Sequence, residues 1–274
     1  MNRRKTAQAL FAALEGEGCY CLSTLLYPRH RKELLAEIRS RLEQGLPCRV
    51  ISTSLIEAGV DVDFPMVLRE KSGLDSLLQA AGRCNREGKR PAGSSFVYMF
   101  CTEEAAPPML YQNITSMESV LRRYEDFTQS EAIEYYFRFY RNLKGNEQLD
   151  EKNILNSFKR GVFPFKQVND LFQLINTPVK TVYVPIGEGR ELVEKLRAGE
   201  WSRKLFRKLG QYGVNVYPEH FKALSSAGAL EVLENGDGIL RDTNYYKSDI
   251  GLSLDVPVGQ GIFIEDENRV ITGP

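Results

Sequence analysis

The sequence predicts an α/β chain made of a parallel-sheet domain, a helical linker and a small α+β domain. In the first hundred of its 274 residues, short apolar segments alternate with helical patterns, which is typical of a parallel sheet with crossover helices. A polar, proline-containing segment at 103–108 precedes a long stretch of helical periodicity. The composition shifts again at Thr177-Pro178, where the predicted elements become short. These changes predict a sheet domain, a linker and an α+β domain at 1–104, 105–176 and 177–274.

The predicted sheet domain begins with an amphipathic helix and ends with an apolar strand. Apolar residues at helical spacing predict the first helix at 3–15. Pro28 begins a second helix with an apolar stripe, and Gly45 ends it. A third helix begins near Gly73. The predicted strands are 19–22, 49–53, 65–69 and 95–100.

The helices and strands of the linker and of the last domain are predicted from the same kinds of sequence pattern. Helices are predicted at 115–143 and 154–174, the second interrupted at Gly161 and Pro164. In the last domain, Asn235-Gly236-Asp237 indicates a hairpin. The other segments predicted there are strands at 181–184 and 212–217 and helices at 191–197, 202–209 and 218–224, with Trp201 packed between helices.

Charge and composition narrow the classes of function. Lysine and arginine number 36, as do aspartate and glutamate, so the net charge is zero and any nucleic-acid contact must be local. The 5 cysteines form no CxxC pair, and neither of the 2 histidines neighbours an aspartate, so a zinc site, a disulfide framework and an HD metal pair are not indicated. No apolar run approaches membrane-spanning length. The sequence therefore predicts a cytoplasmic protein with no membrane partner.

The chemistry of the chain is concentrated between Arg49 and Arg90. The first motif there, Ser52 to Asp61 (STSLIEAGVD), follows a strand with hydroxyls, a glycine turn and a carboxylate. Open α/β sheets bind ligands at this edge of the sheet. Gly59 permits close backbone approach, and Asp61 can accept hydrogen bonds from sugar hydroxyls.

The second motif, Gln79 to Arg86 (QAAGRCNR), carries two arginines three residues apart. On a helix or at its end, Arg83 and Arg86 would share one face. Arginine keeps its charge near neutral pH and forks onto phosphate oxygens, which suits the charge of a phosphoryl-transfer transition state. Gln79 lies one turn earlier and would hold that face in register.

In this order, the two motifs resemble motifs V and VI of the second RecA-like domain of superfamily 2 helicases. Three stretches together, CLSTLLYPRHRKELLAEI, STSLIEAGVDVDFP and GLDSLLQAAGRCNREG, resemble the CRISPR-associated helicase-nuclease of type I systems. In that family, an HD nuclease and a helicase with two RecA-like domains unwind and degrade DNA displaced by a guide-RNA complex. These stretches cover about the first hundred residues, whereas YGVNVY and YYKSDIGL resemble the family's C-terminal domain more loosely.

The resemblance implies a role for each candidate residue. Arg86 would be the arginine finger on the γ-phosphate of ATP, with Arg83 beside it. The residues on the nucleotide would be Gly59, Asp61, Gln79 and Gly82. The residues on single-stranded DNA would be Ser23, Thr24, Thr53 and Arg29. From the residues alone, a helix cap explains Ser23 and Thr24 equally well, and Arg29 also fits a solvated surface.

The resemblance also implies parts that this sequence lacks. It contains no GxxxxGK[ST] phosphate loop, so the first RecA-like domain, which would hold Mg²⁺, and the HD nuclease are expected to be missing or separately encoded. Family members open the sheet domain with an apolar strand that ends just before the position of Asn2. The sheet is therefore expected to lack one strand, and the slot to expose apolar surface and strand edges. We expect a C-terminal fragment, or half of a split gene, that is inactive alone.

Two other interpretations of the sequence remain open. One is a different superfamily 2 translocase with a similar second domain. The other is a non-catalytic module whose α+β domain docks on a guide-RNA surveillance complex.

Overall fold

The computed structural model describes residues 1–14, 16–57, 59–91, 93–159, 163–172, 179–253 and 255, and their backbone forms two compact units. The first unit contains residues 1–22 and the described part of 38–177. The second contains residues 23–37 and the described residues from 179 onward. The boundary predicted at Thr177-Pro178 and the helix break predicted at Gly161 lie outside the described residues.

Residues 23–37 fall within the predicted sheet domain, yet they group with the C-terminal residues. The reason is packing, because Leu25 and Tyr27 are buried in the core of the second unit. Leu252 donates its backbone N–H to the Leu25 carbonyl at 2.9 Å. Sequence periodicity sees only the local helix, so it could not reveal this long-range association.

In the residues that the structure describes, the first unit carries two parallel strand pairs and six α-helices that lie wholly within it. The first pair joins β1 (Cys19–Leu22) to β2 (Arg49–Ser52), and the second joins β3 (Met66–Glu70) to β4 (Phe96–Phe100). The helices of the unit are α1 (Arg4–Ala13), α3 (Leu74–Ala81), α4 (Tyr111–Leu121), α5 (Ser130–Leu149), α6 (Ile154–Lys159) and α7 (Phe165–Leu171), while α2 (Pro28–Glu43) enters it at Ile38. The helical stretch predicted at 115–143 consists of two separate helices, α4 and α5.

The first two residues of the chain lie between the carboxyl ends of β2 and β3. The Met1 amino group donates to the Ser52 carbonyl at 2.7 Å, and the Asn2 backbone N–H donates to the Glu70 carboxylate at 2.7 Å. The Asn2 side chain also donates to the Lys71 carbonyl at 2.9 Å. Burial, with Arg69 adding to it, lowers the pKa of the Met1 amino group to about 6. The two strand pairs are thus tied together here by side-chain and terminal groups rather than by a strand.

One face of the β3–β4 pair is exposed and apolar. The register places Met66 opposite Phe96 and Leu68 opposite Tyr98, and all four side chains are exposed. Phe96 and Tyr98 stack with their ring centroids 6.1 Å apart. One core cluster of this unit lies among α3, α4 and α5, with Leu74, Leu77, Met117, Val120, Ala132 and Tyr136 buried.

The second unit is built on a four-stranded sheet in the order β6-β5-β8-β7. Its strands are β5 (Lys180–Tyr183), β6 (Gly213–Val216), β7 (Leu230–Val232) and β8 (Gly238–Leu240). Its helices are α8 (Glu188–Arg197), α9 (Arg203–Leu209) and α10 (Pro218–Ser226), and a short antiparallel pair follows as β9 (Tyr246–Lys247) and β10 (Gly251–Leu252). The hairpin predicted at Asn235-Gly236-Asp237 is the antiparallel β7–β8 pair. Gly236 has φ +83°, the left-handed conformation that such turns favour.

Candidate functional site

The carboxyl end of β2 passes into a short turn that holds the first motif. Thr53 ends the strand with its backbone N–H donating to the Leu22 carbonyl at 3.2 Å, and a 3₁₀ turn follows at Ser54–Ile56. Gly59 has φ +70°, a conformation that disfavours any residue with a side chain. The chain thereby turns sharply before Asp61, whose side chain is 73% exposed.

A buried ion pair anchors this turn to the sheet and to α3. Arg69 on β3 contacts Glu57 with Nε 3.0 Å from Oε1, and their side chains are only 7% and 10% exposed. The Ser76 hydroxyl donates to Glu57 Oε2 at 2.9 Å and accepts from Arg69 Nη2 at 2.8 Å. Arg69 Nη1 also donates to the Asn2 side-chain oxygen at 2.7 Å. Glu57, Arg69 and Ser76 were not selected from the sequence, although a charged pair ending an apolar strand (MVLRE) was a usable signal.

The second motif binds the first through Arg83. Its Nε donates to the Ile56 carbonyl at 3.0 Å, and its Nη2 donates to the Glu57 carbonyl at 2.7 Å. Gly82 is the C-cap residue of α3, and its backbone N–H donates to the Leu78 carbonyl at 2.9 Å. Both arginines therefore lie beyond the helix, and a parallel bridge between Phe64 and Cys84 holds this segment instead.

Arg86 lies against the exposed end of the first motif. Its backbone N–H donates to Asp63 Oδ1 at 2.7 Å, and its Nε is 3.2 Å from Asp61 Oδ1. The Arg86 side chain is 40% exposed. The structure thus brings the predicted finger arginine and the predicted ribose carboxylate into direct contact.

A polar cavity of about 220 Å³ adjoins this contact. Asp63 accepts from Arg90 Nη1 at 2.8 Å, and the Asn85 side chain both donates to and accepts from the Arg90 backbone at 3.0 Å. Arg39 donates from Nε to the Asp61 carbonyl at 2.7 Å. The cavity is lined by Arg39, Leu42, Glu43, Asp61, Val62, Asp63, Glu87, Lys89 and Arg90.

Other predicted site residues of the first unit have looser surroundings. Gln79 is exposed on α3, one turn before the segment that carries Arg83. Gly59 has open space around the position that a Cβ would take. Thr53 is half-buried and makes no side-chain cap hydrogen bond to the turn that it precedes.

Ser23, Thr24 and Arg29 belong to the second unit, whereas the two motifs belong to the first. Ser23 is fully buried, and its hydroxyl accepts from the Leu25 N–H at 3.2 Å, as in a serine turn, since α2 begins only at Pro28. Thr24 is exposed. Arg29 pairs with Glu33 at 3.2 Å and with Glu188 at 2.6 Å, and its guanidinium lies 5.9 Å from the centre of the Tyr212 ring.

Three rings hold the start of α2 in the second unit. Tyr27 stacks on Tyr246 with ring centroids 5.0 Å apart, and the Tyr246 hydroxyl lies 2.7 Å from His30 Nδ1. Burial is the main cause that raises the pKa of the Tyr246 hydroxyl and lowers the pKa of His30. This cluster fixes the backbone that carries Thr24 and Arg29.

The His30 imidazole should make the stability of this unit depend on pH. Because its pKa in the folded state is below the ordinary value of 6.5, the unfolded state binds the proton more readily. The His30 contribution is therefore complete above pH 6.5 and is lost as pH falls through the lowered pKa. Urea unfolding from about pH 7.5 to about pH 5 should show this loss, and His30→Gln should reduce the slope. An identical slope in the variant would contradict the assignment.

The described residues give no sign of a metal centre or a membrane segment. Among them, no group of three or more histidine, cysteine, aspartate or glutamate side chains could hold a metal ion. No described helix has the length and apolar character needed to cross a membrane.

Comparison with known proteins agrees with the order of the two motifs. Residues 1–89 match the family described as "CRISPR-associated nuclease/helicase Cas3, C-terminal", and both motifs lie inside the matched range. Over residues 1–89 the chain is therefore similar to this Cas3-like family. This similarity supports a C-terminal part of a Cas3 helicase-nuclease.

Curated relatives extend this result over a limited part of their own length. Cas3 of Haloferax volcanii is 41% identical over 80 residues, which is 28% of this chain and 8% of that protein. Cas3 of Methanothermobacter thermautotrophicus is 28% identical over 110 residues, which is 39% of this chain and 13% of that protein. The matched segments are thus small parts of these Cas3 proteins.

Solved structures show the same fold over most of the chain. T. fusca Cas3 has a TM-score of 0.58 at 16% identity, over 92% of this chain and 38% of that one. A chain from a structure titled "CRISPR RNA-guided surveillance complex, pre-nicking" has a TM-score of 0.52 at 17% identity, over 91% of this chain and 39% of that one. At these identities the similarity to Cas3 structures shows the mixed α/β fold.

Proposed function

We propose that this chain is the part of an ATP-dependent DNA helicase of CRISPR interference that supplies motif V and the motif VI arginines. The observation that carries the proposal is the direct contact between the two motifs. Arg83 is bound to motif V carbonyls, and Arg86 is paired with Asp61. This arrangement couples any movement of motif V to the position of the arginines.

The chemistry of the exposed groups fits one side of a nucleotide site. Asp61 presents a carboxylate suited to ribose hydroxyls, and Arg86 presents a guanidinium suited to phosphate oxygens. When bound, ATP supplies the phosphoryl group whose hydrolysis drives movement. Mg²⁺ and the triphosphate would be held mainly by a first RecA-like domain, in agreement with the absence of a phosphate loop from this sequence.

The two arginines have different tasks in this proposal. Arg86 is half-exposed and held by an exposed carboxylate, so a phosphate oxygen can replace Asp61 as its partner. That exchange would also free Asp61 for the ribose. Arg83 is half-buried and bound by two carbonyls, so it positions the loop rather than meeting the phosphate. Gln79 and Gly82 would keep α3 and the loop after it in place on the nucleotide side.

Single-stranded DNA would lie on the residues named from the resemblance. Thr53 ends β2 with a side chain that makes no cap hydrogen bond, and Thr24 is exposed. Arg29 carries an exposed guanidinium. Ser23 is buried, so it would act by fixing the backbone at Thr24.

The first unit is proposed to be a RecA-like domain with a slot for one more parallel strand. Met1 donates to the Ser52 carbonyl and Asn2 donates to the Glu70 carboxylate, so the first two residues bridge the ends of β2 and β3 where this slot would lie. Both flanking strands end at this point, so an inserted strand would run parallel to them and lead into α1. The exposed edges of β2 and β3 would then be paired.

A strand-forming segment joined to Met1 should therefore stabilise the first unit. A five-residue extension of valine and isoleucine should raise the urea midpoint and slow amide exchange in β2 and β3, because the new strand pairs both edges. The amide formed at Met1 can still donate to Ser52. A glycine–serine extension of equal length is the control. Equal midpoints for the two extensions would argue against the slot.

The decisive experiment for the proposed function is reconstitution of ATP hydrolysis. The chain is mixed with a separately expressed first RecA-like domain, and turnover is measured with and without single-stranded DNA. We expect no hydrolysis by the pure chain and DNA-stimulated hydrolysis by the mixture. Hydrolysis by the pure chain, or a folded but inactive mixture with every such domain tested, would contradict the proposal.

A second candidate is a docking module without catalysis. Its support is the likeness to a Cas3-containing surveillance-complex structure over 91% of this chain. The test is capture of a purified guide-RNA surveillance complex by the full chain. Truncation before residue 179 is a poor test, since it would remove the core that buries Leu25 and Tyr27. Capture without reconstituted hydrolysis would favour this candidate.

A further inference from the structure

Helix α9 concentrates positive charge in a chain whose net charge is zero. Four of its seven residues are cationic, and all four are exposed, whereas Leu205 and Leu209 are buried. The four cations are Arg203, Lys204, Arg207 and Lys208. Helical spacing sets them in two adjacent columns on the face opposite the buried leucines.

The neighbouring helix α8 lacks this concentration of unpaired positive charge. On the neighbouring helix α8, basic residues alternate with glutamates, and Arg197 pairs with Glu194 at 2.7 Å and with Glu231 at 2.6 Å. Within the described part of the second unit, the four α9 cations have no carboxylate partner of this kind. Like charges one turn apart disfavour the free helix, so binding of a polyanion would relieve their repulsion.

An exposed indole lies beside this charged face. Trp201 precedes the Ser202 cap of α9, is 51% exposed, and contacts Phe206 with ring centroids 5.6 Å apart. The sequence predicts Trp201 to be packed between helices, whereas in the structure about half of the residue is exposed. On the helix, Phe206 is adjacent to the column of Arg203 and Arg207.

We propose that the α9 face, defined as Trp201 with Arg203, Lys204, Arg207 and Lys208, binds single-stranded DNA. The cations would follow the phosphates while the indole stacks on a base, the combination that suits unpaired strands. In a duplex the faces of the bases are hidden by stacking, so duplex DNA would contact only the four cations. The choice of DNA over RNA rests on the proposed helicase function, whereas the surface itself requires only unstacked bases on a phosphate backbone.

The sequence contains 1 tryptophan, Trp201, so tryptophan fluorescence reports directly on this surface. Titration with an oligo-dT strand should quench the emission. The logarithm of the binding constant should fall with the logarithm of salt concentration, with a slope of about −3 if all four cations meet phosphates. Duplex DNA should bind with little quenching.

Matched double variants separate this surface from general charge. Arg203→Gln with Arg207→Gln should reduce the salt slope by about 1.4, since two phosphate contacts are lost. Arg190→Gln with Lys195→Gln removes the same charge from α8 and should leave the slope unchanged. Circular dichroism checks that each variant is folded.

Three results would overturn the proposal. They are absence of quenching at low salt, equal slope changes in the two double variants, and tighter binding of an oligo-U strand than of oligo-dT. The proposed helicase function is tested separately. Quenching that persists when reconstituted hydrolysis fails would leave the α9 face standing, and reconstituted hydrolysis without quenching would leave the helicase function standing.

Discussion

Replacing Arg86 with alanine should lower ATP turnover in the reconstituted enzyme by about 10³-fold or more, while DNA binding persists. The guanidinium would stabilise charge that develops on the transferred phosphoryl group, and alanine offers no substitute. Arg86 is suited to this task because its partner Asp61 is exposed and can be exchanged. The measurement is steady-state hydrolysis with saturating single-stranded DNA, beside oligonucleotide affinity for the same preparations.

The control for this prediction is another exposed arginine of the same unit. Arg122 is 81% exposed and pairs with Glu118, one turn earlier on α4. Arg122→Ala should therefore keep turnover within about twofold of the parent, because surface pairs of this kind contribute little. Turnover near the parent value in Arg86→Ala would remove Arg86 from the mechanism.

The positions of the two motifs could be predicted from the sequence because each is a short local pattern. A strand, a glycine turn and Asp61 occur in order, and a glycine and two arginines follow a helix. What the spacing could not give is the partner of each side chain. The spacing predicts that Arg83 and Arg86 share one face on a helix or at its end. In the structure α3 ends at Ala81, and a bridge between Phe64 and Cys84 holds the segment beyond the helix that carries both arginines.

Long-range packing sets the other limit of prediction. The segment from Ser23 to Tyr27 has the sequence pattern of a loop between a strand and a helix. Nothing in the local sequence indicates that Tyr246 will stack on Tyr27. The charge of α9 is plain in the letters RKLFRKL, but the exposure of its cations and of Trp201 depends on the fold. Buried polar contacts such as the pair of Arg69 and Glu57 also depend on long-range packing, because they join β3 to the turn after β2.

Breaking the buried pair between Arg69 and Glu57 should be the most destabilising single change in the first unit. Arg69→Met leaves the Glu57 carboxylate in a site where it is 10% exposed and loses the Arg69 bonds to Ser76 and Asn2. Removing one partner of such a pair costs about 3–5 kcal/mol, because a buried charge is left uncompensated. Urea unfolding followed by circular dichroism should show this loss in the free energy of unfolding.

A double-mutant cycle tests whether the pair itself carries the effect. Glu57→Gln leaves the Arg69 charge unpaired, whereas the double variant leaves neither charge buried, so its cost should be smaller than the sum by about 1–3 kcal/mol. The exposed pair of Glu134 and Arg138 on α5, changed in the same way, should lose about 0.5 kcal/mol or less. Additive losses would assign the effect to packing alone. A coupled loss would mean that this pair positions Glu57. Because the Glu57 carbonyl holds Arg83, turnover of the reconstituted enzyme should then fall with either single change.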